Sequence, residues 1–199
     1  MEDKLKLASN PNTPANVLDE LFDDKDWDIM VALAKNPNTS SKVFNKLLDM
    51  DSLYLKELIV RNPNTPKDIL KRLSEDEEWQ IRKAVAMHDN VTPDILEYLS
   101  DDIEDWEVRA EVASNPKTSE YVLEKLFQDE DRDVRKAAIT NPILSSNLLE
   151  KLADDNDYKV RIAVTENPST SLEILKKLSQ DEDEEVALAA KEEIERRGR

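Results

Sequence analysis

The sequence predicts an all-α solenoid of about seven two-helix repeats, each 26 residues long. Three observations predict it. First, Asn-Pro returns at Asn10-Pro11, Asn36-Pro37, Asn62-Pro63, Asn115-Pro116, Asn141-Pro142 and Asn167-Pro168, in steps of 26, 26, 53, 26 and 26 residues. The step of 53 holds one more copy, beginning at His88-Asp89. Second, two apolar stripes at helical spacing recur within each period. Third, the one glycine, Gly198, follows the last of these stripes. A period of this length marks units that pack on their neighbours rather than on a shared centre.

The chain therefore reads as a single solenoid domain over residues 1–199. Residues 1–9 form an N-terminal half-repeat, with Leu5, Leu7 and Ala8 facing the first repeat. The repeats follow at 10–35, 36–61, 62–87, 88–114, 115–140, 141–166 and 167–199, the last with a capping helix.

The fifth repeat shows the logic of each element. Thr118 offers a hydroxyl to a free amide of the first helical turn and so reads as an N-cap. Proline follows the equivalent Thr at Pro14, Pro66 and Pro93, where a missing N–H costs nothing. Val122, Leu123, Leu126 and Phe127 then make the stripe of a helix A about ten residues long. Val17, Leu18, Leu21 and Phe22, and Val43, Phe44, Leu47 and Leu48, repeat it. An acidic turn leads to helix B, Val134-Arg135-x-Ala137-Ala138-Ile139, which ends where Asn141 meets proline. Neither helix is stable alone at this length, so stacking must supply the stability.

The charge balance is acidic. The chain carries 28 Lys and Arg against 45 Asp and Glu, a net charge of −17. Nucleic acid and anionic membrane surfaces are repelled by such an excess, and basic partners are attracted. The charge is also uneven: residues 88–114 hold nine acids and only Arg109 as a base, a net −8. Cysteine is absent, which excludes disulfides, thiolate metal sites and thiol nucleophiles. No apolar run is long enough to span a bilayer, and the first residues lack a signal-peptide stretch. The expectation is a cytoplasmic monomer that contacts no membrane.

The repeated pattern is Asn-Pro, Thr-Pro, Leu-x-x-Leu, an acidic turn, then Val-Arg-x-x-Val-Ala. Its clearest copies are Asn62-Pro-Asn-Thr-Pro66 with Ile81-Arg82-Lys-Ala-Val-Ala86, and Asn115-Pro-Lys-Thr118 with Val134-Arg135. This pattern resembles the leucine-rich repeat variant family, a relative of HEAT and armadillo-like helical repeats. The resemblance covers nearly the whole chain. It implies a right-handed α-solenoid of paired helices, some of 3₁₀ character. The cysteine-bound iron–sulfur cluster of one member of that family has no ligands here.

Stacking turns repeated positions into columns. Arg82, Arg109, Arg135 and Arg161 form one, with Lys56 and Met30 in the same place. Six residues earlier stand Asp24, Asp76, Asp129, Asp155 and Asp181, and ion pairing between the two columns is expected. A third column lies in the acidic turn: Trp27, Leu53, Trp79, Trp106, Arg132, Tyr158 and Glu184. The fourth repeat departs from the pattern. It has His88-Asp89 for Asn-Pro, an extra residue in Asp101-Asp102-Ile103-Glu104-Asp105, and Glu111 where others have Ala32, Leu58, Ala84, Ala137 or Ala163. A carboxylate at a packed position needs a partner.

No phosphate loop, zinc spacing or nucleophile elbow is present. Asp129-x-Asp131-x-Asp133 lacks the glycine and closing Glu of a calcium loop. No catalytic residue, metal or cofactor is expected, and the groove should be acidic, which argues against direct nucleic-acid binding. The expected function is a non-catalytic scaffold holding a basic protein or peptide. Its candidate partner-binding residues are Trp27, Trp79, Trp106, Tyr158, Asp101, Asp102, Glu104, Asp105 and Glu107. Two alternatives remain: an acidic mimic of nucleic acid that inhibits a DNA- or RNA-binding enzyme, and a consensus-like designed repeat protein without a partner.

Overall fold

The computed structural model describes residues 2–22 and 26–198, and every regular element among them is an α-helix. The chain divides into two compact units between Leu99 and Ser100. The first holds α1 (Glu2–Ser9), α2 (Ala15–Leu21), α3 (Trp27–Lys35), α4 (Ser41–Leu48), α5 (Leu53–Val60), α6 (Lys67–Leu73), α7 (Trp79–Ala86) and α8 (Pro93–Leu99). The second holds α9 (Trp106–Ser114), α10 (Glu120–Leu126), α11 (Arg132–Thr140), α12 (Ser146–Leu152), α13 (Tyr158–Glu166), α14 (Leu172–Leu178) and α15 (Glu184–Arg197). The division thus falls inside the fourth repeat, between its A and B helices.

Each unit has two layers. In the first, B helices α1, α3, α5 and α7 pack in succession, and A helices α2, α4 and α6 pack beside them. In the second, α9, α11, α13 and α15 form the B layer, while α10, α12 and α14 each lie against the B helix that follows. The A-helix stripes enter the core: Leu18, Val43, Phe44, Leu47, Leu70, Leu123 and Leu175 are buried. Burying each such side chain contributes about 1.5–3 kcal/mol. In the lead-in helix α1, Ala8 is buried and Leu5 half-buried, but Leu7 is exposed rather than turned to the first repeat.

Three expectations about helix ends and type are corrected. The A helices have seven or eight residues, not ten. They start late because the repeated Thr is not their cap. Thr118 is buried, and its hydroxyl donates to the Val112 carbonyl six residues back. Thr13, Thr39, Thr65 and Thr170 do the same to Leu7, Leu33, Ile59 and Val164. The cap is the next residue: Ser119 accepts from the Val122 amide, and Ser40, Ser145 and Ser171 act alike. Pro14 and Pro66 occupy that cap position, while Pro93 is the first residue of α8. Finally, the B helices are α-helical, without 3₁₀ character. Four of them are capped by Asp26, Asp131, Asp157 and Asp183, whose carboxylates accept from the amide two residues on.

Asparagine joins the repeats. Asn36 Nδ2 donates to the carbonyls of Ala8 and Asn10 at 2.7 and 2.9 Å. Asn62 repeats this on Ala34 and Asn36, Asn141 on Ala113 and Asn115, and Asn167 on Ile139 and Asn141. Each Oδ1 accepts from the amide two residues on, as Asn62 does from Asn64. Each of these buried asparagines is thus fully used in crossing from repeat to repeat.

Candidate functional site

The ion pairing expected between the basic and acidic columns is present. It reaches one repeat forward. Arg109 Nε and Nη2 grip the Asp129 carboxylate at 2.7 and 3.0 Å, and Arg161 grips Asp181 at 2.8 and 2.8 Å. Lys56 holds Asp76 at 2.9 Å. The remaining Nη1 of Arg109 and Arg161 donates to a carbonyl of its own turn, at Asp102 and Asp155. Burial pushes the Asp129 carboxyl up, but Arg109 and the Asp131 amide together hold it below the usual carboxylate range. Arg161 likewise lowers Asp181. Asp24, the first acid of that column, lies outside the described residues.

One link of this ladder is missing. Arg135 makes no ion pair with Asp155 or with any other described carboxylate; its Nη1 donates to the Asp129 and Glu130 carbonyls at 2.5 and 2.9 Å.

The tryptophan column stands at the first residue of each B helix, not within the acidic turn. Trp27 is 45% exposed and stacks on Tyr54, with ring centroids 6.4 Å apart. Trp79 is half-buried beneath its own Lys83, and Tyr158 beneath its own Lys159. Trp27 and Trp79 belong to the first unit, Trp106 and Tyr158 to the second.

The five acids chosen from the fourth repeat separate into different roles. Asp101 forms a close ion pair with Lys125. Asp102 turns inward, its Oδ1 accepting from the Glu104 and Asp105 amides. Asp105 stands at the N-cap of α9 without making a capping bond, and Glu107 is half-buried in the first turn. Glu104 remains exposed and lines a depression of about 320 Å³ with Ile103, Trp106, Arg109, Glu130 and Asp131. Ile103, the residue beside the insertion, is 91% exposed, and so is the Glu130 side chain. The floor cation Arg109 is gripped by Asp129 and lies 3.9 Å from the exposed Glu130 carboxylate, and the rim is acidic and apolar. Ile103, Glu130 and Asp131 were not among the candidates. Adding one period to Glu104 and Asp105 reaches the two acids.

His88 and Glu111 resolve as structural positions. His88 fills the Asn place: Nε2 sits 3.0 Å from the Asn62 carbonyl and Nδ1 accepts from the Asn90 amide at 2.9 Å. That pair fixes the neutral tautomer with the proton on Nε2. Glu111 is half-buried, as are Leu58, Ala84 and Ala137, while Ala32 and Ala163 are buried, so its column is packed only in part.

A second depression, about 330 Å³, lies between α11 and α13. It is not the acidic groove expected. Arg132, Arg135, Lys136 and Lys159 line it with Asp157, Glu166 and Glu185, over Tyr158, Ile139 and Ala163. Among the described residues no cluster of three or more His, Asp or Glu is placed to hold a metal ion. Among the described residues no helix is long and apolar enough to cross a membrane.

No protein-family model matches the chain, and no curated protein does. Solved structures do match. A leucine-rich repeat variant with a novel repetitive motif superimposes with a TM-score of 0.63 at 26% identity, over 90% of this chain and 71% of that one. More distant are an engineered protein (TM-score 0.36, 17% identity, 98% and 96% coverage) and a designed armadillo repeat protein in complex with a (KR)4 peptide (0.30, 17%, 98% and 90%). With its helix pairs, its Asn-Pro junctions and its 26% identity to that variant, the chain has the helical repeat fold of the leucine-rich repeat variants.

Proposed function

We propose that the protein is a non-catalytic scaffold that binds a basic peptide segment at the depression around Trp106. One observation carries this reading. An exposed indole and an almost fully exposed isoleucine stand beside Glu104, Glu130 and Asp131, while the one arginine beneath them is occupied by Asp129. A Lys or Arg side chain has an apolar stem and a cationic head. Ile103 suits the stem, the Trp106 face suits the cation, and the carboxylates complete the charge match. The −17 net charge would speed encounter with such a segment. The scaffold acts as a monomer, without direct contact to nucleic acid.

The test is fluorescence anisotropy of a labelled Lys/Arg-rich peptide at low and moderate salt. Trp106→Ala and the triple variant Glu104→Lys, Glu130→Lys, Asp131→Lys should each weaken binding at least tenfold. The triple variant should also flatten the salt dependence. Equal affinity of wild type and both variants at low salt would refute the site.

A further inference from the structure

The two depressions of the second unit border each other along the chain: Asp131 lines the acidic one and Arg132 the other. Their electrostatics are opposite. Arg132 is exposed and makes no ion pair among the described residues, and Arg135 is the ladder arginine without a carboxylate. Of the three acids in the same groove, Glu166 is held by Lys136 at 2.7 Å, Asp157 caps α13 through the Lys159 amide at 2.9 Å, and Glu185 is exposed. Arg132 and Arg135 thus both line a 330 Å³ space with an aromatic side and an apolar floor, and neither is ion-paired to its acids. In a chain this acidic, two adjacent unpaired arginines in one groove are an exception that intramolecular pairing does not explain.

We infer that the α11–α13 groove binds a carboxylate side chain of the same peptide whose basic residue occupies the Trp106 depression. This rests on the reading of that depression given above. The ligand class is therefore a mixed-charge segment, not a uniformly basic one. Packed helices of neighbouring repeats lie about 8–10 Å apart. An extended peptide covers about 3.3 Å per residue. The acidic residue thus stands about three positions from the basic one, a Lys-x-x-Glu spacing. A planar carboxylate matches the Arg135 fork, with Arg132 and Lys159 at the rim.

The experiment uses the full chain and two labelled peptides that differ only in Lys-x-x-Glu against Lys-x-x-Gln. Anisotropy measures affinity, and the Arg135 Nε–Hε resonance is followed by NMR. Wild type should prefer the Glu peptide by about tenfold. The double variant Arg132→Gln, Lys159→Gln alters two exposed side chains and should erase that preference. The Arg135 signal should move with the Glu peptide only. Equal affinity for the two peptides, with a stationary Arg135 signal, would overturn the groove assignment while leaving the Trp106 reading intact. An Arg135 shift with the Glu peptide, but no binding of the Gln peptide at any salt, would uphold the groove and overturn the Trp106 reading.

Discussion

His88 donates from Nε2 to the carbonyl of Asn62, 3.0 Å away, in the place that an asparagine amide fills at the other junctions. The ring reproduces two of the three bonds that Asn62 and Asn141 make, since Nδ1 also takes the Asn90 amide. An imidazole has one N–H where a carboxamide has two, so it serves a single carbonyl. His88→Asn should therefore raise the urea midpoint of unfolding by restoring the second donor. His88→Ala should lower stability by about 1–3 kcal/mol, the cost of an unmade buried bond.

The asparagine junction itself is the sharper case. Asn141 is buried and donates to two carbonyls of the preceding repeat. Asn141→Ala leaves both unpaired and should cost about 1–3 kcal/mol or more. Asn141→Asp should cost more than Asn141→Ala, because an ionised carboxylate would face two carbonyl oxygens with nothing to donate. Equilibrium unfolding of the two variants side by side decides this order.

Arg109 and Asp129 form a pair with side chains only 9% and 8% exposed. Removing one partner strands the other, so Asp129→Asn and Arg109→Met should each destabilise by about 3–5 kcal/mol. The double variant should cost less than the sum of the two, and a double-mutant cycle measures the difference.

Acid should unfold the protein through its paired carboxyls. Asp129 and Asp181 are held below their ordinary values, and Glu193, gripped by Arg196 and Arg197, is lowered from 4.5 to about 2. For groups lowered in the folded state, the unfolded chain binds protons first. Their contribution is complete above about pH 4.5 and is lost as the pH falls towards 2. Thermal midpoints between pH 6 and pH 2 should fall mainly in that window. Glu193→Gln should make the decline shallower.

Arg197 closes the asparagine column. Arg197 Nη2 donates to the Asn167 carbonyl at 3.0 Å, and its Nη1 donates to the Thr170 carbonyl. Arg197→Ala should raise amide exchange around 167–172 and in α15, with little change in the first unit. Exchange mass spectrometry reads both regions at once.

The periodic features were legible because each occurs many times. Seven Asn-Pro-like junctions and their apolar stripes announce paired helices without any three-dimensional information. Distances that cross from one repeat to the next were not legible. Pairing between the Arg and Asp columns was expected, but its span was not: the carboxylate partner of Arg109 lies 20 residues ahead, because stacking sets that register rather than local sequence. Thr118 looked like a cap by residue type, but the core takes its hydroxyl and leaves the cap to Ser119. The candidate site suffered in the same way. Trp106 and Glu104 were found within one repeat, while Glu130 and Asp131 arrive from the next.

The asparagine junctions also bear on how such a chain changes over generations. Asn36, Asn62, Asn141 and Asn167 each ask the same thing of the segment before them, two carbonyls, and offer the same thing to the segment after. A duplication or loss of one whole 26-residue segment between Asn-Pro sites would leave every remaining junction chemically satisfied. A gain or loss of a few residues within a junction would break two hydrogen bonds at once. Recombination can therefore lengthen or shorten this protein in whole steps, provided Arg197 keeps its place against the Asn167 carbonyl.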